Sequence, residues 1–324
     1  MTRFDIAKEI RKAWAASAPL TATAFVMFVA FLASAAGILL DDRIITGVPA
    51  WLKPTKFAIS TSIFSATLAW LYRYISIWPR FLRALGWVLS ALLILEVAII
   101  DVQAARGTTS HFNVGTPLDA MLFVIMGAAI GMLWLATVGV FIALVRQKFS
   151  DAAWGWWLRM GMLTTILGAA AGGLMLRLTP AQIQHFEVSG SVTNAGAHTV
   201  GGPDGGPGLP GVGWSTRHGD LRIPHFFGLH GLQLLPLIRW LVRQRAYQNE
   251  VRQIRLAFAA TASYFAFIGI LMWQALRGKS VMAPDSGTLL AIGVWLTATI
   301  WIGVSLMQHP TSSSNAFDVS GRTI

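Results

Sequence analysis

The residues best suited to bind a ligand in this sequence include histidines near the ends of long apolar stretches. His225 and His230 are five residues apart, so on a helix they project about 140° from each other. Two histidines that bind one metal ion from a single helix need the closer i, i+4 spacing. His230 and Gln233, in contrast, share a helical face. The spacing therefore argues against a metal site formed by the two histidines alone, and it groups His230 with Gln233.

One carboxylate lies inside an apolar stretch. Glu96 is about six residues, or roughly 9 Å, from the outer end of a predicted helix over 80–102. His230 lies at a similar depth, about 9 Å from the start of another predicted helix. A carboxylate within a membrane commonly marks a functional site and its partner. We therefore expect Glu96 and His230 to face each other, either in a ligand site or as a structural hydrogen bond.

A third polar segment connects two of the apolar stretches. It contains Arg106, His111, Asn113 and Asp119. Guanidinium, imidazole, amide and carboxylate groups together can bind a carboxylate, a phosphate or a metal ion. A simpler explanation accounts for Asp119 alone, because Thr116 and the following residues also form a good N-terminal helix cap.

Basic residues gather at the predicted starts of three helices that begin on the same side of the membrane. They are Lys53, Lys56, Arg106 and Arg222. Because a helix N-terminus is already partly positive, a cation there is unfavourable unless an anion lies nearby. This pattern predicts a basin that binds a small anionic or polar ligand. The alternative is that these long side chains reach lipid headgroups.

Membrane-spanning helices must position these residues. The 324-residue chain is 55% hydrophobic and only 12% charged, roughly half the charged fraction of a soluble domain. A helix needs about 20 apolar residues to cross the hydrocarbon. The sequence predicts an all-α integral membrane protein with eight transmembrane helices, at about 19–40, 55–77, 80–102, 117–145, 156–178, 223–243, 255–276 and 288–308.

The distribution of charge predicts the orientation. With the N-terminus inside, 16 of the 25 lysines and arginines fall on the inner side, which is the bias of membrane proteins. Both termini are then cytoplasmic, and every histidine except His309 lies at the outer side. The net charge of +11 therefore indicates anionic lipid rather than nucleic acid as the partner.

The chain divides into three parts. Residues 1–18 form a cytoplasmic interfacial segment, 19–308 the transmembrane domain, and 309–324 a disordered cytoplasmic tail. The longest connection, 179–222, is rich in glycine and proline, which disfavour regular structure. It is either a flexible connector or a lid over the outer face. The first apolar stretch is expected to be retained, although a signal-peptidase site at Ala33–Ala35 remains an alternative.

Three short sequence segments, at 106–113, 218–233 and 273–285, resemble a family of uncharacterised bacterial multi-pass inner-membrane proteins. The resemblance covers about a fifth of the chain. It implies a location in the bacterial inner membrane and carries no known activity.

Three functions fit these residues. The first is an outward-facing ligand site, in a binding protein or a transporter, with Glu96 linking binding to a proton. The second is a redox protein that binds b-type haem or a quinone through His111, His225 and His230. The third is a metal-dependent hydrolase that uses the same histidines with Asp119. The absence of cysteine excludes thiolate metal sites and covalent c-type haem attachment.

Overall fold

The computed structural model describes residues 5–242 and 249–308, and it is almost entirely helical. The tail predicted at 309–324 lies outside the described residues. In chain order the described helices are α1 Ile6–Ala16, α2 Ala18–Leu40, α3 Leu52–Tyr72, α4 Pro79–Ala105, α5 Pro117–Arg146, α6 Ala152–Ala171, α7 Pro180–Ser189, α8 Arg222–Leu229, α9 Gly231–Val242, α10 Glu250–Leu276 and α11 Ser286–Gln308.

Six stretches of the described chain are long and apolar enough to cross a membrane. They are α2, α4, α5, the stretch Ala152–Ser189 that contains α6, α10 and α11. The predicted all-α class is therefore confirmed, and the chain has the helices of a multi-pass membrane protein. Two of the eight predicted spans do not meet the same standard. Lys56 and several serines and threonines make α3 less apolar, and the span predicted at 223–243 is split in two.

The split span corrects the sequence prediction. Instead of one helix over 223–243, α8 ends at Leu229 and α9 begins at Gly231. His230, between them, has φ −87° and ψ 8°, which lies outside the helical region. Gly228 and Gly231, on either side of the break, pack so closely on α6 that neither could carry a Cβ. The break therefore depends on packing against a distant segment, which the apolar length of 223–243 does not reveal.

The helices pack in two groups. The first contains α1 to α4, in which α3 packs mainly on α2; the second contains α6 and α8 to α11. α5 joins them because it packs on both α4 and α6. A buried apolar core that includes Leu20, Leu68, Leu89, Leu144 and Leu158 runs through the first group into α5 and α6. Trp70 of α3 also contacts Trp154 of α6, with ring centroids 5.9 Å apart, so α3 touches the second group as well.

Four connections meet at one end of the bundle, which we call the loop end. They are residues 41–51, 106–116, 177–221 and 277–285. Main-chain hydrogen bonds join the second and third, Val114 N to Thr193 O (2.9 Å) and Ala195 N to Phe112 O (2.8 Å). The Ser280 hydroxyl joins the fourth to the third by donating to Ser215 O (3.3 Å), and Gly47 of the first lies against Gly205 O. We call residues 190–221, which cover this end, the cap.

The long connection is more ordered than its composition predicts. Thr179 and Gln182 cap α7 reciprocally, and Pro180 suits its first turn. Further along, β3 (Thr199–Val200) pairs antiparallel with β4 (Gly219–Asp220). A second short hairpin, β1 (Ile44–Ile45) with β2 (Val48–Pro49), lies in the first connection. The glycine- and proline-rich run 201–211 contains no helix or strand, as its composition predicts, whereas the flanking parts of 179–222 are structured.

The opposite end, which we call the α1 end, has short connections. Asp5 caps α1 by accepting a hydrogen bond from Lys8 N (3.0 Å). Arg73 at the end of α3 binds Glu9 of α1 at 2.6 Å. Gln147, just after α5, accepts a hydrogen bond from Ser76 N (2.9 Å). These contacts tie α1 and the helix ends together at the surface.

Candidate functional site

A buried carboxylate lies near the loop end of α4. Glu96 is only 4% exposed. Its Oε1 is 3.4 Å from His111 Nε2, but neither carboxylate oxygen makes a hydrogen bond of good geometry in the described residues. No ion pair within 4 Å joins Glu96 to His230 in the same part of the chain. The partner of Glu96 is thus His111 rather than the expected His230.

His111 reaches Glu96 from the connection between α4 and α5. The next residue, Phe112, has φ 63°, a left-handed conformation that turns the chain back at this point. The imidazole packs against Phe57 of α3, with ring centroids 5.4 Å apart. Burial, followed by the nearby positive charge of Lys53, lowers the pKa of His111 well below its ordinary value. His111 is therefore a neutral imidazole beside a carboxylate.

Lys53 is the cation nearest to this pair. Its Nζ lies 5.9 Å from the centroid of the Phe57 ring. It is attracted by Glu96 and repelled by Lys56 and Arg222. Lys53 forms no ion pair within 4 Å in the described residues, so its ammonium group keeps hydrogen-bonding capacity.

A second histidine comes from the cap and was not predicted. His198 Nδ1 lies 3.0 Å from Asp204 Oδ2, and the same carboxylate accepts the His198 backbone N–H. Burial raises the pKa of Asp204, but these hydrogen bonds outweigh it and hold the pKa below its ordinary value. Burial lowers the pKa of His198, although Asp204 opposes the shift. The carboxylate holds the Nδ1 proton, so Nε2 is an acceptor.

A third histidine comes from α8. His225 Nδ1 is 2.7 Å from the carbonyl oxygen of Gly168 on α6, so it must donate there. Its Nε2 is consequently an acceptor as well. The His198 ring packs on Phe112, the residue after His111, with ring centroids 4.9 Å apart, and His225 is electrostatically coupled to both His111 and His198. We call Lys53, Glu96, His111, His198 and His225 the polar cluster.

The other predicted residues of the 106–119 segment form a separate network. Arg106 binds Asp119 Oδ1 at 2.7 Å and also donates to Gln103. Gln103 donates to the same carboxylate oxygen at 2.9 Å, and Thr116 donates to its other oxygen at 2.6 Å. Asn113 braces the loop by donating to the Thr109 carbonyl at 3.1 Å. Asp119 is therefore saturated by its own chain.

Two further predicted cations are also occupied. Arg222 forms a forked ion pair with Asp220, with nitrogen–oxygen distances of 2.6 and 2.9 Å, and donates to Gly213 O at 2.6 Å. Lys56 Nζ donates to Val212 O at 2.7 Å. Three of the four basin cations thus bind atoms of the chain itself, and only Lys53 is without such a partner in the described residues.

His230 and Gln233 lie apart from the polar cluster, at the break between α8 and α9. The His230 ring packs edge-on against Phe226, with centroids 4.4 Å apart. Gln233 Nε2 donates to Thr67 of α3 at 3.1 Å. The structure therefore divides the predicted site residues among the cluster, two salt-bridged networks and the break.

Among the described residues, no group of three histidine, aspartate or glutamate side chains is placed to hold a metal ion. Taken together, the fold and the site define a multi-pass helical membrane protein with a buried polar cluster near one end. No protein-family model, curated protein or solved structure matches the chain.

Sequence reasoning missed His198 and Asp204 because they lie in the glycine-rich connection. No helical or strand periodicity there gives a residue a direction. The only available signal was the pair itself, an aspartate six residues after a histidine. That signal is too common in loops to predict a contact.

Proposed function

We propose that the chain crosses the bacterial inner membrane eight times, with both termini in the cytoplasm and the loop end outside. Six apolar helices and the grouping of the connections at two ends support this topology. The excess of basic residues at the α1 end supports the orientation. Reporter fusions after Lys148 and at residue 205 test it. Finding both on the same side of the membrane would overturn the topology.

We further propose that the polar cluster binds a small polar ligand from the outside, and that binding is linked to a proton at Glu96. The observation that carries this proposal is the buried Glu96 carboxylate, whose oxygens lack hydrogen bonds of good geometry in the described residues. An unsatisfied charge in a membrane is costly, so a group that pairs with it is favoured. A ligand or a proton meets that need.

The arrangement favours a ligand that donates hydrogen bonds over a purely anionic one. Glu96 and the Nε2 atoms of His198 and His225 are acceptors. Asp119 and Asp220 already neutralise Arg106 and Arg222, so the basin has little positive charge to spare. Lys53 adds an ammonium donor, and His111, as a neutral imidazole, carries a single N–H donor beside Glu96. A small molecule with an amine or hydroxyl group and one acceptor fits these groups best.

The cap controls access to the cluster. His198 of the cap contributes to it directly, and Glu96 beneath is enclosed. Lys56 and Arg222 bind the cap carbonyls of Val212 and Gly213 and hold it closed. A ligand therefore reaches Glu96 only when these contacts open, which makes the 190–221 segment a lid.

Thermal unfolding of the purified protein tests the ligand class. Ethanolamine and ammonium represent donors, and acetate and phosphate represent anions, all at matched ionic strength. We expect the donors to raise the unfolding temperature by mass action. Glu96→Gln should remove the effect, whereas Lys148→Gln, an exposed change at the α1 end, should preserve it.

Two results would count against the proposal. Stabilisation by acetate alone, lost in Lys53→Met, would favour the anionic basin. Equal stabilisation of the protein and Glu96→Gln would exclude Glu96 from the site.

A further inference from the structure

α1 is a separate helix at the α1 end rather than the start of α2. Ser17, the single residue between the two helices, is extended, with φ −156° and ψ 94°. No residue of α1 is buried. One side of α1 contacts the bundle, where Glu9 binds Arg73 at 2.6 Å and Ala13 and Ala16 pack against the apolar core. The rest of the α1 surface is exposed.

Large apolar side chains run along the exposed part of α1. Ile6, Ile10 and Trp14 are spaced four residues apart, so they share one face of the helix. Each of them is at least 38% exposed. The boundary between lipid headgroups and acyl chains accommodates such a stripe, and tryptophan is enriched there. The stripe therefore indicates that α1 lies in the plane of the membrane surface.

The basic residues near this stripe carry charge that the protein does not neutralise. Within the described residues, Lys8 and Arg11 of α1 form no ion pair within 4 Å, and neither do Arg80 and Arg83 at the start of α4. All four side chains belong to exposed residues. Glu9, the acid in the middle of α1, already binds two other cations. The α1 end thus has a surplus of positive charge.

The start of α4 lies close to the end of α1. Gly86 of α4 packs on Ser17, whose hydroxyl oxygen would be only 3.0 Å from a Cβ at Gly86. Arg83 precedes Gly86 by three residues, less than one helical turn. Trp78 and Phe81, in the same region, are each 45% exposed. The start of α4 therefore continues the combination of exposed apolar and basic side chains found on α1.

We infer that the apolar stripe of α1 and the four unpaired cations, here called the lipid surface, bind the headgroups of anionic phospholipids. The net charge predicted anionic lipid as a partner but gave it no site. Here the acyl chains contact the stripe, and the lipid phosphates pair with Lys8, Arg11, Arg80 and Arg83. A basic residue near an anionic membrane strengthens binding about fivefold. The inference is independent of the ligand proposed for the polar cluster.

Thermal unfolding of the purified protein in an uncharged detergent tests this inference. Phosphatidylglycerol is titrated in, with phosphatidylcholine as the lipid without net charge and inorganic phosphate as the free anion, all at matched ionic strength. Two variants each remove two cations of the lipid surface, Lys8→Gln/Arg11→Gln and Arg80→Gln/Arg83→Gln. The matched control removes two exposed cations of the loop end, Arg177→Gln/Arg217→Gln.

We expect phosphatidylglycerol to raise the unfolding temperature, whereas phosphatidylcholine and phosphate have little effect. Each variant of the lipid surface should need about tenfold more phosphatidylglycerol for the same rise, because two charges are lost. Lys8→Arg/Arg11→Lys keeps both charges and should respond like the unchanged protein. The loop-end control should also respond normally.

Three results would overturn the lipid surface. Equal stabilisation by phosphatidylcholine would show that the protein does not recognise lipid charge. Stabilisation by inorganic phosphate alone would indicate a site for a free anion. An equal loss in the loop-end control would show that the total charge of the protein matters, and not the position of these cations.

Discussion

The loop end and the α1 end carry the same types of charged residue but arrange them differently. At the loop end, Asp220 is 1% exposed and lies inside a hydrogen-bonded network. At the α1 end, the Asp151 side chain that binds Arg239 is 52% exposed. The first arrangement specifies one geometry of the chain, whereas the second keeps its charges in contact with solvent. Specific chemistry is therefore expected at the loop end.

The helix termini beside the cations differ as well. At the α1 end, Arg159 donates to the free carbonyls that end α5, including Gln147 O at 2.7 Å. A helix C-terminus is partly negative, so a cation suffices there. At the loop end, Arg222 begins α8, where the N-terminus is partly positive, and Asp220 neutralises it. Arg106, the C-cap of α4, pairs with Asp119 in the first turn of α5.

The largest expected difference between the two ends is the loss of stability when one aspartate at each end is neutralised. Asp220→Asn leaves Arg222 without its charge partner in a buried network, and it should lower the free energy of unfolding by about 3 kcal/mol. Asp151→Asn keeps the helix cap and removes only an exposed charge, so its cost should stay below about 1 kcal/mol. Thermal unfolding in one detergent measures both. Equal losses would mean that the two ends do not differ in this way.

The next largest expected effect is a change in the free energy of unfolding that has opposite signs for substitutions at two positions on one face of α4. Glu96→Leu removes a buried charge with no good hydrogen bond and should raise the free energy of unfolding by about 2 kcal/mol. Gln103→Leu removes a fully buried amide that binds Asp119 and should lower it by a similar amount. Denaturant titration of both variants checks the signs. A loss of stability in Glu96→Leu would show that the carboxylate is satisfied in the folded protein.

The sequence was informative wherever a residue's position along a helix determines its surroundings. Apolar length predicted the helical class, and the depth of Glu96 predicted that it is buried. The same reasoning gave the wrong partner for Glu96. Depth alone does not give the rotation of a helix about its axis, and here a loop histidine, His111, reaches into the bundle.

Other features depend on contacts between segments that are distant in sequence. The cap is ordered by hydrogen bonds such as Val114 N to Thr193 O, which composition does not reveal. The break at His230 depends on Thr165, 65 residues earlier. Glycine and proline content predicted only that the 179–222 connection would disfavour regular structure, and the partners that fix the cap and the break could be seen only in the fold.

Acidification should weaken the loop end selectively. The pKa values of His111 and His198 lie below the ordinary 6.5 in the folded chain, so the unfolded chain binds more protons as the pH falls below that value. Stability is therefore fully present above about pH 6.5 and should fall steadily as the pH drops below that value. Asp204, whose pKa is lowered, adds its own loss only at more acidic pH, below the ordinary aspartate value of 3.8.

Unfolding temperatures measured across this pH range check that effect. His198→Gln and His111→Gln should each flatten the profile. His185→Gln, at an exposed position of α7, should retain it. An unchanged profile in both cluster variants would show that acid acts elsewhere in the protein.

The smallest effect concerns the contact that holds the cap closed. Lys56→Met removes the hydrogen bond to Val212 O while keeping an unbranched chain against its neighbours. Because one hydrogen bond at a partly exposed site contributes about 0.5 kcal/mol, the global unfolding temperature should barely change. Local opening of the cap depends more strongly on this single hydrogen bond than global unfolding does. Amide exchange over residues 199–221 should therefore become about twofold faster. Lys148→Met at the α1 end provides the matched control, and faster exchange of the cap in that variant would contradict a local role for Lys56. If Lys56→Met also makes ethanolamine bind and dissociate faster while its affinity stays the same, the cap acts as a lid over the polar cluster and contributes little to binding itself.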